Sequence, residues 1–384
     1  MGTSDIHRPA MIFHVAYRLA SDPKNASALR PVRMRRAFEA IGYNVHEISG
    51  THAERRKQMQ RLKSEIRAGL RIDFVYSEAA TTPTGLGEPV TKATSLTRDI
   101  AFLRFCQRAD IPVGLFYRDI YWRFPIYTET VKWPLSAILR AFYRWDLRRY
   151  RRGGFRIYLP SLEMAEWLPM IPRERIRALP PGGDAREIDS TVEHGGIRIL
   201  YVGGLGSNYR LRETIAEISQ TPEVSLTLCI PEAHWRARSA EYADVMAANV
   251  KLVHQSGSQL DALYRDADVC LLAVEPIKYW GFAAPVKLFE YVSHGKPILA
   301  STGTYSGRFV VANDLGWSVD YGSGALRDKL DELLAQPDEL QDVAQRVRTA
   351  SRQHTWEARA LQVAKDLAGA SWSASRASDG KRST

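Results

Sequence analysis

The chain is poor in the residues that build disulfide and metal frameworks. It has three cysteines, Cys106, Cys229 and Cys270, far apart and each inside an apolar segment. That spacing excludes a disulfide scaffold and a zinc finger, and fits buried thiols in a reducing compartment. Apolar runs of the roughly 18 residues needed to cross a bilayer are also missing. The opening MGTSDIHRPA has no apolar core of the kind that directs secretion, so a cytoplasmic location is expected. No metal-ligand set is read from the chain, and neither a metal nor a bound cofactor is expected. What the chain does have is length, with 384 residues and 45% apolar content, enough for two ordinary domains. It also has a net charge of +10, which implies an anionic partner. A nucleotide, a nucleic acid and a membrane surface all satisfy that, and composition does not choose among them.

Short apolar runs alternate with amphipathic ones through most of the chain. Strands are predicted at 11–16, 43–48, 73–76, 111–117 and 155–159. Between them Pro31 is read as opening a basic helix that stops at Gly42, and helices are read over 51–70 and 95–109. Ser161 is read as capping a helix over LEMAEWL. Strands alternating with helices predict an α/β fold with parallel, doubly wound sheets. In such sheets ligands bind beyond the carboxyl ends of the strands. The strand IPVGLFY delivers Arg118-Asp119 to that edge. Asp119 there is either a turn-capping residue or a general base, its pKa raised by desolvation among Tyr117, Tyr121 and Trp122. The same logic extends more weakly to Glu78, at the end of another strand, and to His14, which a strand interior can equally use as a satisfied core histidine.

Residues 121–154 form the least ordinary segment. Leu135, Ile138, Leu139, Phe142 and Trp145 recur at helical spacing, with Trp122 and Trp133 at the entry. Arg148, Arg149, Arg151 and Arg152 crowd its end. Aromatic and basic residues on an amphipathic helix suit an interfacial contact with anionic lipid. A core-packing helix with a solvated basic face is the plainer alternative, and nucleic-acid binding a third.

In the second half, a strand over 197–202 runs into Gly203-Gly204-Leu205-Gly206-Ser207-Asn208 and then a helix. Such a turn admits a pyrophosphate closely, with Arg210 as the nearest cation; a merely tight turn is the competing reading. Another strand, 269–273, ends at Glu275-Pro276. The stretch GFAAPVKLFEYVSHGKPILAS (281–301) then reads as loop, short helix, stop and strand. Pro285 suits the first helical turn and Gly295 the stop. Lys287 and Glu290 share a face near the helix N-terminus beside Pro285 and Val286, while Leu288, Tyr291 and Val292 pack. A phosphate would favour the N-terminal N–H groups and Lys287, and Glu290 can accept from ribose hydroxyls. A solvent-facing ion pair is the alternative.

Several of these blocks fall in a familiar order: LPPGGD (179–184), YVGGLGSNYRLRETI (201–215), LDALYRDADVCLLA (260–273), APVKLFEYVSHGKPILAS (284–301) and HTWEARA (354–360). In this the chain resembles the GT-B glycosyltransferases, close to the family 4-like bacterial polysaccharide enzymes. The resemblance implies two facing Rossmann-like domains with an interdomain cleft, divided near 11–190 and 191–352. A helix over 353–370 would cross back, and the remaining tail would be disordered. It implies a nucleotide-sugar on the second domain, UDP- or GDP-linked, with Glu290 on the ribose and Lys287 near the phosphates. Gly204, Gly206, Arg210, Glu275, Pro285 and Val286 would line the same site. Many retaining members carry a glutamate eight residues before Glu290; here Phe282 stands there. The strand end FYRD (116–119) is similar to the corresponding position in the xanthan glucuronosyltransferase, where an aspartate serves as base. The implied enzyme is metal-independent, peripheral on the inner membrane face, and moves a sugar to a lipid-linked saccharide of a surface polysaccharide, with no nucleic-acid partner. A nucleotide-sugar 2-epimerase of the same architecture and a non-catalytic basic lipid- or RNA-binding protein are the rivals.

Overall fold

A computed structural model of the chain describes residues 9–21, 26–84, 86, 95–186, 195–206 and 209–369. They divide into two compact units. One runs to Pro180 and resumes at Trp356; the other is Pro181–Thr355. The carboxyl-terminal tail beyond residue 369 lies outside the described residues.

The first unit takes β1 (Ala10–Val15), α1 (Ala26–Ala40), β2 (Asn44–Ile48), α2 (His52–Arg67), β3 (Phe74–Glu78), α3 (Ser95–Arg108) and β4 (Val113–Phe116). Then come α4 (Ile126–Thr130), α5 (Leu135–Gly153), β5 (Arg156–Leu159) and β6 (Ile176–Ala178). The strands form one sheet in the order β2-β1-β3-β4-β5-β6, with every pair parallel. β1, β3 and β4 are buried along their whole length, as strands covered by helices on both faces must be. Helix α1 starts at Ala26, ahead of the Pro31 that the sequence pattern takes as its opening. A proline this early forfeits one main-chain bond, and the buried Met34, Ala37 and Phe38 outweigh that loss. The helix expected over LEMAEWL is a short 3₁₀ turn, Glu163–Trp167, with the Ser161 hydroxyl accepting the Met164 N–H at 3.4 Å.

The second unit takes β7 (Ile197–Val202), α6 (Arg212–Ser219), β8 (Val224–Cys229), α7 (Glu232–Arg238), β9 (Val250–Val253), α8 (Leu260–Asp266) and β10 (Val269–Leu272). Then follow α9 (Val286–Ser293), β11 (Ile298–Ser301), α10 (Tyr305–Ala312), β12 (Gly316–Val319), α11 (Ala325–Ala335) and α12 (Pro337–Ser351). Its sheet runs β12-β11-β10-β7-β8-β9, again parallel throughout. Read from β9, this is the doubly wound order, reversing between β7 and β10. A last helix, α13 (Trp356–Ala368), belongs to the first unit. Its Trp356, Ala360, Val363 and Ala364 share a core with Met11, Phe13, Tyr76 and Phe116. The three cysteines are free and buried.

A buried polar network ties the first unit together. His14 Nε2 lies 3.0 Å from Asp99 Oδ1, and His14 Nδ1 lies 2.8 Å from the Ser77 hydroxyl. Arg55 Nε donates to the same Asp99 oxygen at 3.0 Å. Burial alone would raise the Asp99 pKa; His14, by hydrogen bond and charge, and then Arg55 hold it down at about 2. Asp99→Asn should lower the unfolding free energy by about 3–5 kcal/mol, because Arg55 loses its countercharge inside the protein. Urea unfolding of both proteins at neutral pH is the check. Asp99's contribution is full above the ordinary carboxylate pKa and fades as pH falls from about 4 towards about 2, where the stability gap between the two proteins should close.

Candidate functional site

The reversal of the second sheet places two loops side by side: the one after β7 and the one after β10. Gly203 follows β7 with φ +149°, donating its N–H to the Cys229 carbonyl at 2.9 Å. A Cβ at 203 would land on the Lys287 amine, and one at 204 on the His234 imidazole. The two glycines therefore leave room for a cation and a base at the carboxyl edge. The Gly204 carbonyl accepts the Tyr201 hydroxyl at 2.8 Å, and Gly206 bridges to Tyr209. Arg210 pairs with Glu275 at 3.2 Å, and the Glu275 N–H donates to the Arg210 carbonyl at 3.1 Å. Those bonds fasten the two loops to each other. Ser207 and Asn208 lie outside the described residues.

Helix α9 is aimed at the same edge. Pro285 is its N-cap, with extended backbone (ψ 144°), rather than its first helical residue; Val286 opens the helix. Leu288, Tyr291 and Val292 are fully buried, and the Tyr291 hydroxyl accepts the Val202 N–H at 3.0 Å, pinning the helix to the end of β7. Gly295, at φ +66°, terminates it as expected. The half-buried Lys287 points at the glycine turn. Its Nζ donates to the Tyr201 hydroxyl at 2.9 Å and stands 3.7 Å from the centre of the Tyr209 ring. Burial pushes this ammonium down to about 7, with the Glu290 charge opposing. Glu290 lies one turn further along, half-buried. Phe282 is buried in an edge contact with Tyr279, so no carboxylate stands at its position. The sequence reading did not single out Tyr201, Tyr209 or His234. An aromatic residue on each side of the glycine turn was the available signal.

In the first unit the three acid–base candidates separate. The Glu78 side chain is wholly buried. It pairs with Arg30 at 3.3 Å and Arg118 at 3.2 Å and accepts the Tyr76 hydroxyl at 2.9 Å. Arg118 also donates to the Tyr17 hydroxyl at 3.2 Å, and burial pushes that phenol up to about 12, with the Arg118 charge opposing. His14 is the core histidine of the network described above. Both groups are buried and already paired with neighbouring side chains. Asp119 is half-buried beyond β4, and its Oδ1 accepts the Tyr121 N–H at 2.9 Å, capping the turn Tyr121–Arg123. That bond fixes the direction of its carboxylate.

Helix α5 packs through Ser136, Tyr143, Asp146, Leu147 and Tyr150. The apolar stripe read from the sequence is thus not the core face. Trp133, Leu135 and Ile138 are 81%, 54% and 51% exposed. Arg148, Arg151 and Arg152 are exposed further along. Arg149 turns inward instead, donating to the Leu96 and Thr97 carbonyls at 3.0 and 3.2 Å and lying 4.1 Å from the Trp145 ring centre. No helix among the described residues is long and apolar enough to cross a membrane. Among them, too, no group of three or more His, Cys, Asp or Glu side chains is placed to hold a metal ion. Asp266-Ala267-Asp268 has the spacing of a metal-binding pair, but it precedes β10 at the opposite edge, and Asp268 accepts the Arg198 N–H at 2.7 Å.

Residues 210–365 match the family described as glycosyl transferase-like. No curated protein sequence matches the chain. Among solved structures, sucrose-phosphate synthase from Thermosynechococcus elongatus is similar at 15% identity and TM-score 0.63, over 93% of this chain and 98% of that one. HepE from Anabaena, solved with UDP and glucose, is similar at 11% identity and TM-score 0.59, over 94% and 99%. WaaG, a glycosyltransferase involved in lipopolysaccharide biosynthesis, is similar at 12% identity and TM-score 0.56, over 94% and 100%. Two parallel six-stranded sheets of this topology give the chain the GT-B fold that these solved glycosyltransferases share, and the glycosyl transferase-like match falls mainly on the second unit.

Proposed function

We propose that the protein moves a glycosyl group from a nucleoside diphosphate sugar to a hydroxyl of a lipid-linked saccharide, in surface-polysaccharide assembly at the inner face of the membrane. One observation carries the donor side. The Lys287 amine lies over a glycine turn at the strand reversal, with a carboxylate, Glu290, one turn further along the same helix. A diphosphate in that turn meets Lys287, the N–H groups at the start of α9 and Arg210, which together answer the charge of the leaving group without calling on a metal. Glu290 takes the ribose hydroxyls. HepE, solved with UDP and with UDP-glucose, supports a uridine donor.

On the acceptor side Asp119 is the base, because Glu78 and His14 are spent in the interior. Asp119 takes the proton of the acceptor hydroxyl, whose oxygen attacks the anomeric carbon as the bond to the diphosphate breaks. The exposed apolar start of α5 and its cationic end support a membrane contact over a solvated helix face. WaaG's part in lipopolysaccharide biosynthesis is in keeping with a lipid-linked acceptor.

Lys287→Met should weaken UDP binding by about 1.5–3 kcal/mol in calorimetry, the worth of a charge-assisted hydrogen bond. The amine of the empty site is neutral above pH about 7, so UDP must recruit a proton there. Wild-type affinity should therefore fall as pH rises from about 7 to about 9, and the variant's should not. Unchanged affinity in the variant would remove Lys287 from the donor site. Asp119→Asn keeps the oxygen that accepts from Tyr121, so it should fold normally and bind UDP as before. Its sugar transfer should drop about a hundred- to ten-thousandfold, and wild-type turnover would rule Asp119 out as the base. Leu135→Ser with Ile138→Ser, and separately Gln at Arg148, Arg151 and Arg152, should each reduce sedimentation with phosphatidylglycerol vesicles, the arginines contributing about 1 kcal/mol apiece. Full sedimentation of both variants would return α5 to a purely structural part.

A further inference from the structure

Three arginines converge on one aromatic stack in the connection between β4 and β5. Trp122 lies parallel to Tyr143, with ring centres 5.0 Å apart. The Arg123 and Arg144 guanidiniums stand 5.4 and 6.0 Å from the Trp122 ring centre. Arg140 donates to the Trp122 carbonyl at 3.0 Å and stands 5.7 Å from the centre of the Tyr127 ring. Arg123 donates to the Trp167 carbonyl.

Some arginines elsewhere on the surface find carboxylates: Arg61 with Glu65, Arg212 with Asp244, Arg236 with Glu232. Among the described residues, Arg123, Arg140 and Arg144 form no ion pair with one. The Arg123 pKa is lowered by burial and then by the Arg144 charge, so these cations oppose each other in the empty protein. Aromatic faces and main-chain carbonyls nevertheless hold them in place. A preorganised set of guanidiniums lacking a countercharge is what a phosphate group requires.

Two neighbours narrow the ligand. On one side, the Tyr117 hydroxyl accepts the Trp122 indole N–H at 3.0 Å and lies within the fields of both Asp119 and Arg123. On the other, Arg140 and Arg144 share α5 with the exposed Leu135 and Ile138. An anion joined both to a saccharide and to a long apolar chain suits that placement. Nucleic acid suits it less, because Trp122, Tyr127 and Tyr143 are buried and offer no open face on which bases can stack.

We propose that Arg123, Arg140 and Arg144 hold the phosphate ester through which the acceptor saccharide is joined to its lipid, a reading that rests on the lipid-linked acceptor above. The test compares sedimentation with phosphatidylcholine vesicles carrying a long-chain prenyl diphosphate against the same vesicles carrying phosphatidylglycerol at matched surface charge. The wild type should prefer the prenyl diphosphate vesicles by about tenfold or more. Arg123→Gln with Arg144→Gln should abolish that preference, leaving UDP affinity and melting temperature unchanged as the control for folding. A wild type without the preference, or a double variant that keeps it, would overturn the proposal. So would a double variant that loses both vesicle types equally from a wild type that binds both alike, since the arginines would then read surface charge alone. Failure of the wild type to bind UDP would strike the donor assignment and leave the vesicle comparison standing by itself.

Discussion

A parallel sheet sends the last residue of every strand to the same edge, and helices cover both of its faces. Chemistry in such a fold has one place to go: the edge where the strand order reverses and two loops diverge. Both sheets here obey that constraint. In the first, the reversal between β1 and β3 gathers Tyr17 and Glu78, with Arg118 and Asp119 arriving from the adjacent β4. In the second, the reversal between β7 and β10 gathers the glycine turn, Arg210 and Glu275, and α9 brings Lys287 to them.

The two edges handle buried charge in opposite ways. Glu78 is closed off by two arginines and a tyrosine, with the Arg30 guanidinium stacked 3.6 Å from the Phe116 ring centre. Lys287 has a hydroxyl and two aromatic faces but little to sustain its positive charge, and its pKa falls accordingly. The first edge is an ion-pair network made from the chain's own groups, with the buried Arg30 Nη1 left without a hydrogen-bond partner among the described residues. The second holds a cation with little negative charge beside it.

Much of this was legible in the sequence because period and punctuation agreed. Most strands fall within a residue or two of their apolar runs, and the helix read over 51–70 appears as α2, capped at Thr51 by a reciprocal bond with Glu54. What escaped was context. Helix α10, for which the sequence reading offered nothing, opens at Thr304 inside a glycine- and serine-rich stretch, and the cap bond from the Gly307 N–H at 3.0 Å shows only in three dimensions. The start of α1 was hidden behind Pro31. Lys287 and Glu290 were visible as a spaced pair, but the Tyr201 and Tyr209 box came from another strand and another loop. On α5 the apolar spacing was real, yet spacing does not say which face looks inward, and the true core face is built from tyrosines, a serine and a buried aspartate. Asp119 showed the same limit: nothing in the sequence says that its Oδ1 accepts the Tyr121 N–H.

The return of α13 bears on how the chain comes to be folded. The first unit leaves the ribosome first, but Trp356, Ala360, Val363 and Ala364, which complete its core, are translated after the whole of the second unit. Until then its apolar sheet face stays open, while the second unit already has every strand it needs. The core of the amino-terminal half can therefore be completed only after the whole of the second unit has been made.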